Sequence, residues 1–179
     1  MRIISGTHKG RQIITPSNLP IRPTTDYAKE SLFNVLTNLV NFDSLSVCDL
    51  FCGSGSISYE FSSRGSLRVV AVDSNFKCFS FVRKETERLK LSNIFSLRQD
   101  VFTYLENCSE KFELIFADPP YDLPDISKIH RLVFEKKLLK PSGMLILEHP
   151  KNIDLKELTG FFDYRQYGNV NFTFFKFEQ

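Results

Sequence analysis

The chain contains no tryptophan, only three histidines and only four cysteines among 179 residues. Without tryptophan, the eighteen phenylalanines are expected to supply most of the aromatic core. The cysteines stand at 48, 52, 78 and 108, and no second Cys/His pair follows at zinc-finger spacing. That excludes a zinc-finger reading and suggests reduced, mostly buried thiols. His8, His130 and His149 are scattered and belong to no His-acid-Ser series, so a hydrolase triad is not expected. His130 and His149 read as polar surface residues. No apolar run is long enough to span a membrane, and no basic start leads into an apolar segment. The expected setting is the cytoplasm, away from membranes. The first glycine-rich turn is not followed by Gly-Lys-Ser/Thr, so a phosphate-loop nucleotidase is excluded. Internal repeats and low-complexity tracts are also absent.

Charge is present but unevenly placed. The net charge is only +2. Residues 1–25 hold Arg2, Lys9, Arg11 and Arg22 and no acid, so the remainder is slightly acidic. A basic arm on a near-neutral body suits an anionic partner met by the arm, and charge alone equally suits a solvated surface segment. The mixed run "RKETERLK" reads instead as a solvated helix face.

The order of elements is legible from periodicity. "RIIS" and "RQIIT" flank "GTHKG" and suggest a β-ribbon. The proline-rich "TPSNLPIRPTT" that follows forbids a helix and favours extended chain. Residues 1–23 thus form an arm, and residues 24–179 one domain. Thr24, Thr25 and Asp26 are helix-capping types for "YAKESLFNVLTNLV", which is expected to end near Asn41. Strands and helices then alternate. Strands are predicted at "LSVCDL", "RVVAVD", "IFSLRQD", "FELIFAD" and "MLILEH". The helix before the last of these is expected to run through "ISKIHRLVFEKKLL" and stop at "KPSG". "LKELTG" reads as a helical turn. "FFDYRQYG" and "VNFTFFKFEQ" read as an antiparallel hairpin. The pattern predicts a doubly wound, mostly parallel α/β domain closed by that hairpin.

Candidate chemistry lies at the strand ends, where open α/β sheets bind ligands. Asp49 and the turn Phe51-Cys52-Gly53-Ser54-Gly55 follow the first strand. Asp73 and Ser74 end the second, and Asp100 with Val101 the third. Asp73 lies 20 residues after Gly53, the spacing at which an acid reaches ribose hydroxyls. The third glycine of a dinucleotide fingerprint is Ser58, so only part of that motif is present. Asp100 can accept from an adenine amine while the Val101 amide donates to the ring; Asp100 also suits a helix cap. After the fourth strand comes Asp118-Pro119-Pro120-Tyr121. The prolines lack amide donors but keep their carbonyls. Acceptors beside a flat ring suit the exocyclic amine of a planar base taken out of its stack. Glu148 ends the fifth strand and has no assigned role.

The Asp-Pro-Pro-Tyr motif with the Gly-x-Gly loop resembles the signature of S-adenosylmethionine-dependent amino-methyltransferases. With "RIISGTHKGRQI", "RPTTDYAKESLFNVL", "DLFCGSGS", "FADPPYD", "ILEHP" and "YGNVNFTFF", the chain is similar over nearly its whole length to the bacterial 16S rRNA guanine-N2 methyltransferase family of D type. The resemblance implies a Rossmann-like seven-stranded sheet ending in an antiparallel hairpin. It implies S-adenosylmethionine as cofactor, no metal, and methylation of one guanine in 16S rRNA or the small subunit. It places the cofactor loop on Asp49 to Gly55, the ribose acid on Asp73, the adenine-side residue on Asp100 and the catalytic tetrad on Asp118 to Tyr121. Arg2, His8, Lys9, Arg11 and Arg22 are then expected to contact RNA, with a monomeric enzyme needing no protein partner. Cys52 and the Ser-Ile-Ser opening of the next helix depart from the small residues usual there. A DNA or other RNA amino-methyltransferase would share the cleft, but the chain lacks a separate target-recognition domain. A nicotinamide oxidoreductase has no use for Asp-Pro-Pro-Tyr. A non-catalytic RNA-binding module would need no working cofactor pocket.

Overall fold

The structure, a computed structural model, describes residues 1–21 and 25–177. The segments in order are α1 (Asp26–Thr37), β1 (Ser46–Leu50), α2 (Ser56–Ser63), β2 (Arg68–Asp73), α3 (Phe76–Leu89), β3 (Ile94–Arg98), α4 (Val101–Asn107), β4 (Phe112–Ala117), α5 (Ser127–Glu135), β5 (Leu139–His149), β6 (Phe161–Tyr167) and β7 (Val170–Lys176). Seven strands form one sheet in the order β3-β2-β1-β4-β5-β7-β6. The first five are parallel, and β7 runs antiparallel to both β5 and β6. This is the Rossmann-like sheet with an antiparallel end that the sequence implies.

Strand residues alternate between two cores, as the two-residue pleat requires. Val47, Val69, Ala71, Leu114, Phe116, Met144 and Ile146 meet α1, α2 and α3 on one face. Cys48, Leu50, Val70, Val72, Ile115, Ala117, Leu145 and Leu147 meet α4 and α5 on the other. Burial on both faces explains why these strands read as continuous apolar runs. All four cysteines are free thiols, and Cys48 and Cys78 are buried.

Several boundaries differ from expectation. Helix α1 ends at Thr37, with Asn38 as its C-cap, rather than near Asn41. Thr25 caps its start by accepting from the Ala28 amide; Thr24 lies outside the described residues. Helix α5 ends at Glu135, and β5 begins at Leu139, so Lys140-Pro141-Ser142-Gly143 lies within the strand. A register shift opposite Phe112 and Leu114 and a positive φ of 60° at Ser142 accommodate the proline there. His130 and His149 are buried rather than surface residues. His130 stacks on Phe134 and meets the Thr159 carbonyl at 2.8 Å. His149 bridges Thr173 and the Pro150 carbonyl. Burial lowers the pKa of both, so each packs as a neutral ring.

In the arm an antiparallel bridge pairs Arg2 with Gln12, and backbone hydrogen bonds from the Ile3 amide to the Arg11 carbonyl and from the Ile13 amide to the Met1 carbonyl extend this short ribbon. The arm docks on α2. The buried Glu60 carboxylate accepts the Ile4 amide at 2.8 Å and the Ser5 amide at 3.0 Å. Ser63 takes the Thr7 amide on its carbonyl and the His8 amide on its hydroxyl. Gly6 permits this approach, because a Cβ there would fall 1.8 Å from the Ser63 carbonyl oxygen. Lys29 of α1 is 1% exposed and donates to the Arg2 carbonyl and the Ser56 hydroxyl.

Candidate active site

The carboxyl ends of β1, β2 and β4 enclose a cavity of about 500 Å³. Its wall includes Asp49, Phe51, Cys52, Gly53, Asp73, Ser74, Asp118, Pro119, Pro120 and Tyr121, which the sequence nominated. Pro20, Ile21, Ser54, Ser56, Ile57, Asn75, Cys78 and Phe116 complete the described wall. Three carboxylates face this space, and its described wall holds no Lys, Arg or His. Such a cavity attracts a cationic ligand and repels an anionic one.

Each carboxylate is fixed by its strand. Asp49 is 1% exposed and accepts from the Ser58 hydroxyl and backbone amide. It thereby satisfies the first turn of α2, whose N-cap Gly55 has no side chain to offer. Burial pushes the Asp49 carboxyl up to about 7, and Asp118 and Asp73 push in the same direction. Asp73 accepts the Gly53 amide on one oxygen and the Asn75 amide on the other. Asn75 in turn caps α3 through the amides of Lys77 and Cys78.

Phe51 adopts φ 57°, unusual for a residue with a side chain, and its ring packs edge-on to Phe102 of α4. Gly55 has φ 80°, and a Cβ there would lie 2.8 Å from the Tyr59 ring. The loop therefore bends sharply over a buried tyrosine. Burial keeps the thiol of Cys52 protonated, with Asp49 and Asp73 adding to the effect. At the end of β4 the Pro120 carbonyl accepts the Leu123 amide, closing a turn that carries Tyr121 into solvent. The Tyr121 ring is 38% exposed at the cavity rim.

Other nominated residues lie outside this wall. Asp100 caps α4 through the Thr103 amide, and Val101 is buried in the second core. In the arm, Lys9 and Arg11 are exposed, while Arg2 approaches Asp26 at 3.7 Å. The His8 ring meets the Leu89 carbonyl and the Thr7 hydroxyl. Arg22 lies outside the described residues.

Sequence reasoning missed Pro20 and Ile21, because nothing in an extended proline-rich stretch says which way it turns. Asn75 carried a signal: an Asn two residues past a strand-ending acid is a helix-cap type.

A Rossmann-like sheet with an acidic cleft and Asp-Pro-Pro-Tyr at its mouth defines a methyltransferase. The same fold is found in the Thermus thermophilus 16S rRNA N2 G1207 methyltransferase, solved with AdoMet and guanosine. The TM-score is 0.70 at 20% identity, over 87% of this chain and 44% of that one. Residues 1–176 match the family described as Conserved hypothetical protein 95, and the chain belongs to that family. It is 34% identical to Bacillus subtilis YlbH, provisionally named an rRNA methyltransferase, over 89% of this chain and 88% of that protein. It is 29% identical to the Haemophilus influenzae Ribosomal RNA small subunit methyltransferase D, over 94% of each.

Proposed function

We propose that this protein transfers a methyl group from S-adenosylmethionine to the exocyclic N2 amine of a guanine in small-subunit (16S) ribosomal RNA. The observation that carries the reading is the cavity of three carboxylates without a described cation, with Asp-Pro-Pro-Tyr at its rim. A sulfonium cofactor supplies an electrophilic methyl group, and its positive charge suits this lining. The H. influenzae and T. thermophilus proteins supply the rRNA and guanine-N2 parts of the proposal through their names.

The chain's own residues bind and orient. Asp73, fixed by two amides, takes the ribose hydroxyls. The loop from Asp49 to Gly55 takes the amino-acid portion, and Ser74 borders the ribose. Asp100 and Val101, at the next strand end, take the adenine edge. The Pro120 carbonyl is engaged by Leu123, so the Pro119 carbonyl and Asp118 are assigned the two amine hydrogens. Those bonds favour a pyramidal nitrogen and stabilise the positive charge it gains as the new N–C bond forms. Tyr121 stacks on the guanine. Arg2, His8, Lys9 and Arg11 contact the RNA, as does Arg22.

The test is direct. The protein is incubated with labelled S-adenosylmethionine and small ribosomal subunits lacking the modification, and the RNA is digested to nucleosides. Label in N2-methylguanosine is expected. Label in another nucleoside, or none in a protein that binds the cofactor, overturns the reading.

A further inference from the structure

Beyond the cleft, several exposed rings have no role in the chemistry above, and Tyr27 is the most open of them. Tyr27, the second residue of α1, is 67% exposed, more than any other aromatic ring among the described residues. The residue before it, Asp26, lines a groove that adjoins the cavity. Its ring meets Tyr167, at the end of β6, edge-to-face at 6.2 Å and 83°. Tyr167 meets Phe172 at 6.1 Å, and Phe172 meets Phe116 at 6.3 Å. Phe116 lines the cavity. A continuous row of rings thus runs from the cavity wall to an open aromatic surface.

A second space borders Asp26, the neighbour of Tyr27, and adjoins the cavity. A groove of about 570 Å³ is lined by Arg2, Gln12, Ile14, Asp26, Ser54 and Ser56, among others. Ser54 and Ser56, with Ile21, also line the reaction cavity, so the two spaces adjoin. Asp26 precedes Tyr27 and holds the half-exposed Arg2 guanidinium at 3.7 Å. A half-exposed cation in a groove leading to the cleft, with an open aromatic ring one residue further along the helix from its Asp26 partner, matches single-stranded nucleic acid.

We propose that Tyr27 is a stacking platform for an unpaired RNA base next to the target guanine. Arg2 meets the phosphate that joins the two nucleotides. The inference rests on the RNA-methylating reading and adds a second base-binding position to it. A base held there fixes the strand on one side of the flipped guanine, while Tyr121 holds the guanine itself.

The absence of tryptophan gives the test a clean reporter. Tyr27→Trp introduces a single indole, whose emission is followed during titration with a single-stranded oligoadenylate and with a blunt RNA duplex. Quenching by the single strand and little change with the duplex are expected. In methyl-transfer assays on unmodified small-subunit RNA, Tyr27→Ala is expected to raise the RNA KM about tenfold, with kcat and cofactor affinity unchanged. Tyr27→Phe should behave as wild type, and melting curves of all three variants show whether they are folded. An unquenched indole, or an RNA KM for Tyr27→Ala equal to wild type, overturns the proposal. Quenching by intact small subunits but not by naked RNA overturns it too, since the occupant would then be a protein. If the wild type methylates no RNA, the functional reading fails, and the oligoadenylate titration still decides the platform.

Discussion

The Asp73 carboxylate accepts a hydrogen bond from the Gly53 amide at 2.9 Å, so the acid ending β2 holds the loop that follows β1. These residues are 20 apart in sequence but adjacent at neighbouring strand ends. The same side chain is thus a loop anchor and the proposed ribose acceptor. Asp73→Ala is expected to weaken S-adenosylmethionine binding at least about tenfold, with RNA affinity nearly intact. Titration calorimetry with the cofactor, beside RNA binding, checks this. Unchanged cofactor affinity in a folded variant removes Asp73 from the site.

Asp118 and Tyr121 should separate kinetically. Asp118→Ala is expected to lower kcat far more than cofactor affinity, because its contact strengthens as the nitrogen becomes charged. Tyr121→Phe should keep most activity, and Tyr121→Ala should lose it. Steady-state kinetics on small-subunit RNA decide the matter. Equal damage from Phe and Ala would show that the phenol oxygen, rather than the ring face, is what matters.

Asp49 predicts a pH dependence of defined sign. Its carboxyl titrates at about 7 in the folded protein and near 4 when unfolded. Between those values the folded state keeps a proton that the unfolded chain has released. Stability therefore falls as pH rises through this window and levels off above it. Asp49→Asn should melt close to wild type near pH 4 and higher than wild type at pH 8. A cation entering the cavity favours ionised Asp49, so cofactor binding near pH 6.5 should release a proton. Calorimetry in two buffers of different ionisation enthalpy reads that proton, and the Asn variant should show no buffer dependence.

The arm's charge and its docking can be tested apart. Neutralising exposed Lys9 and Arg11 together should weaken RNA binding and flatten its salt dependence, with cofactor affinity unmoved. Identical salt slopes for variant and wild type would make the charge an ordinary solvated surface. Glu60→Ala acts differently. It leaves the Ile4 and Ser5 amides and the Arg64 guanidinium without their carboxylate. A loss of about 3–5 kcal/mol in denaturant unfolding is expected.

Local pattern carried the sheet and the cleft. The runs at Val69–Val72 and Leu145–Leu147 read as strands covered on both faces, and Asp73 and Asp118 at the ends of β2 and β4 marked where a ligand sits. Side chains whose environment is set by distant partners were not legible. Glu60 and Lys29 look like ordinary helix-surface charges until the arm is folded over them. His130 looks exposed until Phe134 and Phe175 enclose it. Lys140-Pro141-Ser142-Gly143 looks like a helix stop, yet pairing with β4 draws it into a strand.

Strand β7 comes after β6 in the sequence yet lies inside it in the sheet, between β5 and β6. Its Phe172, Phe174 and Phe175 are fully buried, and they fill both faces there. During synthesis, β1 to β5 and their strand-end loops leave the ribosome with the β5 edge still bare. Strand β6 cannot cover that edge in its native place, because β7 must lie between them. The nascent chain therefore exposes an apolar strand edge until residues 170–176 emerge, the state most open to mispairing with another chain. A chain interrupted before Val170 should aggregate rather than accumulate as a partly active enzyme.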